Sequence, residues 1–304
     1  PSLGAMPSYI GGRVALLRIV RYAATPLLSL ARAQEMLNIR DKLGSDAKGS
    51  EILTAGLTFN SLPGTAEFRA ASFNINPMVG TSKQGDVVVY ERWGAVNPHR
   101  FMEKFSVEDY KRLETYRFEA RGIVLDLLSR RVKQVIRYCT IIDFHGGSLA
   151  HRKLMPYGKE FIGGDAKKAV PPMRSTVHVI RTNRATAGIF NLASRLFFTE
   201  QQKKTVFILS GANPFTASTA FANTFDQTAL PADVGGTLTF GTNGHCCCGA
   251  IFAPALNDDD AVWSFYKDKL TPSLLARLDG DSVQEADLRL LDSFVGVVPD
   301  ELAA

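Results

Sequence analysis

Gln134-Val-Ile-Arg-Tyr-Cys-Thr-Ile-Ile-Asp-Phe144 is the stretch that decides the fold. β-Branched and aromatic side chains fill it, and they fit a pleated, buried surface. Runs of the same character lie at residues 87–90, 176–182 and 205–209. The connections between these predicted strands are long enough for crossover helices, which parallel neighbours require and hairpins do not. Residues 85–236 are therefore predicted to form an α/β domain around a mostly parallel sheet. The last crossover contains Gly188-Ile-Phe-Asn-Leu-Ala-Ser-Arg-Leu-Phe-Phe198, whose apolar residues cover more of a helix than one packing face requires. Either two-sided core packing or a greasy partner beyond the core accounts for such a helix.

Upstream, residues 1–76 read as a separate, small, all-helical lobe. Leu16, Leu17, Ile19 and Val20 form an apolar stripe that ends before Pro26; Leu30, Ala33, Met36, Leu37 and Leu43 form a second that stops at Gly44. Residues 54–76 are polar and punctuated by Gly and Pro, which predicts a connection wrapping back toward the sheet. Ser106 and Asp109 offer an N-cap pattern for a long helix through Tyr110, Leu113, Ile123, Val124 and Leu127. Downstream, Asn257-Asp-Asp-Asp260 precedes a predicted helix around 262–270, and an acidic helix is expected over 282–294. Three units result: the lobe over 1–76, the sheet domain over 77–244 and an acidic helical segment over 245–304.

With 304 residues, 45% hydrophobic and 21% charged, the chain is able to bury a substantial core. No run approaches the roughly 20 apolar residues of a spanning helix, and no signal-peptide pattern opens the chain. The sequence begins at Pro1, and Gly4-Ala5-Met6 reads as an added tag, so a natural segment is expected ahead of it. Three of the four cysteines are contiguous at Cys246, Cys247 and Cys248, unlike a spaced disulfide framework, so a reducing, cytoplasmic compartment is expected. The net charge of +5 is unevenly spread: residues 121–204 hold 16 Lys and Arg against 5 Asp and Glu, residues 255–304 hold 4 against 11. A middle this basic suits a phosphate-bearing ligand or an anionic membrane surface, where each nearby cation contributes about 1 kcal/mol. Single pairs such as Lys167-Lys168 and Arg152-Lys153 read as solvated surface.

Several phrases, taken in order, resemble the CRAL-TRIO family of lipid-binding proteins. Leu16-Leu17-Arg18-Ile19-Val20-Arg21 followed by Ala33-Gln-Glu-Met36 is similar to its N-terminal helical lobe. Gly85-Asp-Val-Val-Val-Tyr90-Glu-Arg-Trp-Gly94, Thr140-Ile-Ile-Asp143-Phe-His-Gly146, Phe207-Ile-Leu-Ser-Gly211 and Leu230-Pro-Ala-Asp-Val-Gly-Gly236 follow in the family's order and spacing. The resemblance covers residues 14–240. It implies a hydrophobic pocket behind a mobile gate helix that opens at a membrane to exchange one lipid, with no enzymatic step. Ala187 to Phe198 is then the gate, and Ile189, Phe190, Leu192, Ala193, Leu196 and Phe197 face lipid or pocket.

Physical magnitudes agree with such a role. Burying about 30 acyl methylenes removes roughly 24 kcal/mol of apolar exposure, but a bilayer hides them equally well, so exchange is nearly neutral. A dry void of roughly 1,000 Å³ would cost about 24 kcal/mol, above the typical 5–15 kcal/mol of domain stability. The protein is therefore expected to carry a ligand, stand open or collapse.

For the head group, the resemblance implies a Pro-Glu-Arg-Met phrase before the third strand and a lysine entering the fourth. This chain has Pro171-Pro172-Met173-Arg174 at the first place, so the glutamate is absent and Arg174 stands for the arginine. At the second it has Thr205 or Val206, with Lys203 and Lys204 just upstream, and the arginine of the family's lobe falls near Ala23. Of the family's Ser-x-Thr pair for phosphatidylcholine, Tyr138 replaces the serine and Thr140 remains. Arg174, Lys203 and Lys204 offer charge-assisted donors for a phosphate.

Other constellations lead elsewhere. Phe144-His145-Gly146-Gly147-Ser148 is similar to an esterase oxyanion loop, but no Gly-x-Ser-x-Gly elbow exists in the chain. His245-Cys246-Cys247-Cys248 lacks the spacing of a zinc site, and palmitoylation or a buried strand end are its other readings. No phosphate-binding loop, dinucleotide fingerprint or nucleic-acid motif is present. The expected protein is a monomeric phospholipid carrier of the phosphatidylinositol or phosphatidylcholine type that meets anionic membranes peripherally. It needs no cofactor beyond its bound lipid and has no nucleic-acid partner. A carrier of a compact ligand such as a tocopherol, retinoid or sterol is the alternative, and an esterase-like hydrolase the enzymatic rival.

Overall fold

Thr25 and Gly44 bracket the helix Pro26–Leu43 by complementary devices. The Thr25 side chain accepts from Leu28 N, Pro26 pre-sets the first turn, and Gly44 stops the helix at φ +59, its N–H on the Arg40 and Asp41 carbonyls. The computed structural model describes residues 7–22, 25–72, 78–237, 254–267 and 270. Among the described residues, five helices lie in the lobe: α1 (Ser8–Gly11), α2 (Arg13–Tyr22), α3 (Pro26–Leu43), α4 (Ser45–Thr54) and α5 (Thr65–Ser72). The last of these stands where the pattern predicts a connection. Its cause is Phe68, buried among Trp93, Phe101, Phe105 and Tyr110 with ring centroids 5.6 to 6.3 Å away.

The sheet domain then runs β1 (Met78–Thr81), β2 (Val87–Glu91), α6 (Pro98–Lys104), α7 (Val107–Arg131), β3 (Tyr138–Asp143), α8 (Met155–Gly163), α9 (Asp165–Lys168), β4 (Arg174–Thr182), α10 (Arg184–Phe197), α11 (Glu200–Thr205), β5 (Val206–Ser210), α12 (Pro214–Ala217) and α13 (Thr219–Thr224). Strands follow in the order β1-β2-β3-β4-β5, antiparallel at the first pairing and parallel at the other three. This is the mostly parallel α/β sheet that the sequence predicts, with β1 added at one edge. Ser106 and Asp109 form the expected reciprocal cap of α7. Residues 134–137 do not extend β3. Ser129 Oγ accepts from Ile136 N at 2.9 Å and Arg18 donates to Ile136 O at 2.8 Å, so side chains occupy backbone groups a ladder would need.

Register divides the sheet into two faces. Val87, Val89, Tyr138, Thr140, Ile142, Val177, Val179, Val206 and Ile208 are matched row by row toward one side. Val88, Tyr90, Cys139, Ile141 and Ile180 pack on the other against Phe221, Phe225, Leu230 and Val234. The first face meets the buried α7 and, toward β4 and β5, α10. Arg40 of α3 joins the lobe to α7, bonding Glu119 at 2.8 Å and the Ala169 carbonyl at 2.7 Å, while the Tyr9 hydroxyl donates to Glu119 at 2.8 Å.

The last helix among the described residues, α14 (Asp259–Lys267), starts on the Asp258 side chain and returns to α7 through Arg130–Asp259 at 3.7 Å and Arg131–Asp260 at 2.5 Å. The cysteine trio and the acidic helix expected over 282–294 lie outside the described residues. Among the described residues, no helix is long and apolar enough to cross a membrane.

Candidate functional site

The N-terminal ends of β3, β4 and β5 open onto a cavity of about 380 Å³. Arg18, Arg21, Arg32, Arg137, Lys167 and Arg174 line it, with Asp86 as the one carboxylate among the lining residues. Arg18 is 2% exposed. One of its terminal nitrogens donates to Leu125 O, Ser129 Oγ and Ile136 O at 2.8 to 3.2 Å, while Nε and Nη1 have no hydrogen-bond partner. Burial brings its guanidinium down to about 10. Arg32 donates to the Lys168 carbonyl at 3.3 Å, and Arg137 lies 3.4 Å from Asp86.

Crowding of like charge is the electrostatic signature of this cavity. Burial drives the Lys167 ammonium well below the ordinary lysine range, and Arg174, Arg32 and Lys168 push the same way. Arg174 is lowered too, chiefly by burial. An anion entering would relieve both the repulsion and the desolvation. Tyr138 supplies a phenol whose hydroxyl has no partner; burial raises its pKa, and Arg121 stacks 5.4 Å from its ring.

Farther along the same face lies an apolar pocket of about 90 Å³, lined by Trp93, Ile142, Phe144, Leu154, Phe190 and their neighbours. α10 forms its roof. Asn183 caps that helix by accepting from Thr186 N at 3.0 Å and ties it to the preceding loop by donating to Gly147 O at 2.8 Å. Ile189, Phe190 and Ala193 are half-buried and line the pocket, and Phe190 meets Phe144 edge to face at 4.7 Å. Leu192 and Leu196 point outward, 51% and 61% exposed, so they do not face the pocket. The side chain of Phe197 lies outside the described residues.

The space under α10 is smaller than a chamber for two acyl chains. At about 24 cal/mol per Å³, 90 Å³ costs about 2 kcal/mol, whereas a void sized for two acyl chains would exceed the stability of the domain. Phe144, Phe190 and Trp93 fill most of the space between α10 and the sheet.

The head-group candidates divide. Tyr138 and Arg174 line the basic cavity, together with residues 170–173. Thr140 is fully buried one row farther along β3, its Oγ1 unpartnered, and does not line it. Lys203 and Lys204 are exposed on α11 and do not line it either; Glu200 holds Lys203 at 2.6 Å. Ala23 lies outside the described residues, and Arg18, Arg21 and Arg32 supply the lobe's cations instead. Lys167 belongs to the cavity and corrects the solvated-surface reading, whereas Arg152 and Lys153 are exposed as expected. Arg32 and Arg137 are not candidates in the sequence, and Arg18 and Lys167 stand there only within a lobe phrase and as solvated surface. For Arg18 a signal existed: it interrupts an apolar helical stripe with a charge.

The Gly146-Gly147-Ser148 loop places Ser148 beside His151. Ser148 Oγ lies 3.3 Å from His151 Nδ1, but that nitrogen already accepts the Ser148 backbone N–H at 3.0 Å. The pair closes a capping box on the turn Leu149–Leu154. Among the described residues, no group of His, Cys, Asp and Glu is placed to hold a metal, and His245 with the cysteine trio lies outside them.

Comparison with known proteins gives a family-level match. The family model described as the CRAL/TRIO domain matches residues 74–236. No curated protein matches. Among solved structures, the crystal structure of Sfh5 is similar at 13% identity and a TM-score of 0.45, over 64% of this chain and 64% of that one.

Proposed function

This chain belongs to the CRAL/TRIO domain family, and on that premise we propose that it binds one anionic phospholipid and carries or presents it between membranes. One observation carries the reading: a single face of the sheet holds the basic cavity at Tyr138 and the apolar pocket at Ile142. Four residues of strand at about 3.3 Å each separate them by roughly 13 Å, a head-to-tail spacing suited to an amphiphile. Arg174, Lys167, Arg32 and Arg18 meet the phosphate, and Tyr138 stands beside it. The acyl chains run along Val177, Val179, Val206 and Ile208 beneath α10, which must lift to admit them. With cations dominating the cavity, phosphatidylinositol is favoured over phosphatidylcholine.

The membrane-facing surface is α10 with the adjoining turn. Leu192, Leu196 and Leu149 are exposed, the last at 62%, and the exposed Arg195, Arg152 and Lys153 lie among them. Apolar side chains rimmed by cations suit a reversible, peripheral contact with an anionic leaflet. The small size of the apolar pocket favours a second reading, a carrier of one compact hydrophobic ligand. Transfer of fluorescent phosphatidylinositol from donor to acceptor vesicles tests the first reading. Transfer that falls about tenfold in Arg174→Ala supports it; no transfer of any phospholipid overturns it in favour of the second.

A further inference from the structure

The basic cavity continues past the strand ends. A recess of about 320 Å³ between the β4–β5 edge and α13 shares Gln84, Asp86, Arg137, Ser175 and Thr176 with it, so the two make one continuous cleft. A bulge builds the junction. Tyr138 pairs with Arg174 but Thr140 with Val177, so β4 carries one residue more than β3, and Ser175 and Thr176 both reach the wall. Arg137 stands at this junction, 3.4 Å from Asp86, with its side chain 51% exposed. Beyond it, the exposed Phe207 and the buried Phe221 wall the recess. Cavity and recess each reach the volume of a small-molecule site, about 300–1,000 Å³, which is more room than one phosphate group fills.

Charge is the second, independent observation. Among the described residues, six cations line the cleft against the one carboxylate of Asp86. The phosphodiester of a phospholipid brings a single negative charge and leaves most of that excess uncompensated. A phosphate monoester brings about −1.5 to −2 at neutral pH and three strong acceptor oxygens. These cations are within a ligand's reach: Arg21 and Arg137 are exposed, and Arg32, Lys167 and Arg174 are half-buried. Arg174 and Arg32 also depress the Lys167 ammonium, which puts the three within electrostatic range of one another. Arg137 lies apart from them at the mouth of the recess, a second cationic point for a second phosphate.

Resting on the reading that a phospholipid lies on this sheet, we propose that the cleft is selective for an inositol head group whose ring carries phosphate monoesters, with the phosphodiester at Arg174 and Lys167 and a ring phosphate at Arg137. The same chemistry comes as a lipid or as its free, deacylated head group. The test titrates the full chain by calorimetry with glycerophosphoinositol bisphosphate and with glycerophosphoinositol, which keeps the phosphodiester alone. In parallel, it measures co-sedimentation with phosphatidylcholine vesicles holding phosphatidylinositol bisphosphate, phosphatidylinositol or phosphatidylserine at matched surface charge. A preference of about tenfold for the ring-phosphorylated form is expected. Preference in the vesicle arm alone identifies a lipid ligand; preference in both arms means that the free head group binds as well. Arg137→Gln is expected to bring the preference down to about twofold. Ala220→Glu, which places a negative charge in the recess from an exposed position on α13, is expected to weaken bisphosphate binding about fivefold while phosphatidylinositol binding and the thermal melt stay as in the parent. Equal binding of phosphatidylinositol or phosphatidylserine vesicles, or a preference retained in both variants, would overturn the proposal and leave phospholipid carriage standing. Binding to none of the three vesicles would overturn the carriage reading instead; a tenfold preference in calorimetry would then keep the cleft as a site for the free head group, and its absence would overturn both.

Discussion

Lys167 holds a charge that folding disfavours. Its folded pKa lies below the ordinary 10.5, chiefly through burial. Between those two values the unfolded chain binds more protons, so this contribution to stability is complete above the ordinary value and is lost as pH falls toward the folded one. Lys167→Met is therefore predicted to raise the urea midpoint at pH 7 while weakening binding to vesicles that contain phosphatidylinositol about fivefold, a trade of function for stability. A midpoint that drops together with retained binding would remove Lys167 from the head-group site. His178 shows the same sign at lower pH. Neutral down to about 4, it contributes stability present above about 6.5 and lost as pH falls through 4. With 1.36 kcal/mol per unit, the loss is about 3 kcal/mol. Urea titrations at pH 7 and 4 are expected to give a gap between the two stabilities that shrinks by about that amount in His178→Phe; an unchanged gap contradicts it.

Elements divide into those the residues announce and those that neighbours impose. Four strands, the stop at Gly44 and the Ser106 cap were legible because period, glycine and capping chemistry are local. β1 and α5 were not: four residues carry too little pattern, and α5 forms because Phe68 finds an aromatic cluster distant in sequence. The candidate site was half legible. Arg174 and Tyr138 stand in family phrases, whereas Arg18, Arg32, Arg137 and Lys167 converge from α2, α3, the turn before β3 and α9. For α10, the greasy character was readable but not the division of its apolar residues between pocket and solvent. Replacing Leu192 and Leu196 by Glu is predicted to leave stability within about 0.5 kcal/mol, because both are exposed. The same change is expected to lower vesicle sedimentation at least fivefold, and unchanged sedimentation would remove α10 from the membrane contact. Asn183→Ala should cost about 1 kcal/mol by uncapping the helix. If α10 is the moving part, the same variant should also speed lipid exchange; slower exchange at unchanged lipid content would argue for a rigid roof.

Across the whole molecule, a buried ionic junction is among the contacts that fasten the lobe to the sheet domain. Arg40 meets Glu119 with both side chains almost completely buried, and Asp46 and Tyr9 complete the network. Arg40→Ala leaves the Glu119 carboxylate without its cation and is predicted to destabilise the chain by about 3–5 kcal/mol in urea. A loss below about 1 kcal/mol would mean that the Arg40–Glu119 pair contributes little to holding the lobe. The lobe also supplies Arg18, Arg21 and Arg32 to the basic cavity, so loosening it should weaken head-group binding as well as the fold. Basic cavity, apolar pocket and exposed leucines are the three parts on which the proposed carriage of an anionic phospholipid rests. The most direct test is to purify the full chain under non-denaturing conditions, extract it with organic solvent and identify what it held by mass spectrometry. One anionic phospholipid per chain, much reduced in Arg174→Ala, is the predicted result. A preparation from which no amphiphile is extracted, and which takes up none from vesicles containing phosphatidylinositol, would contradict it.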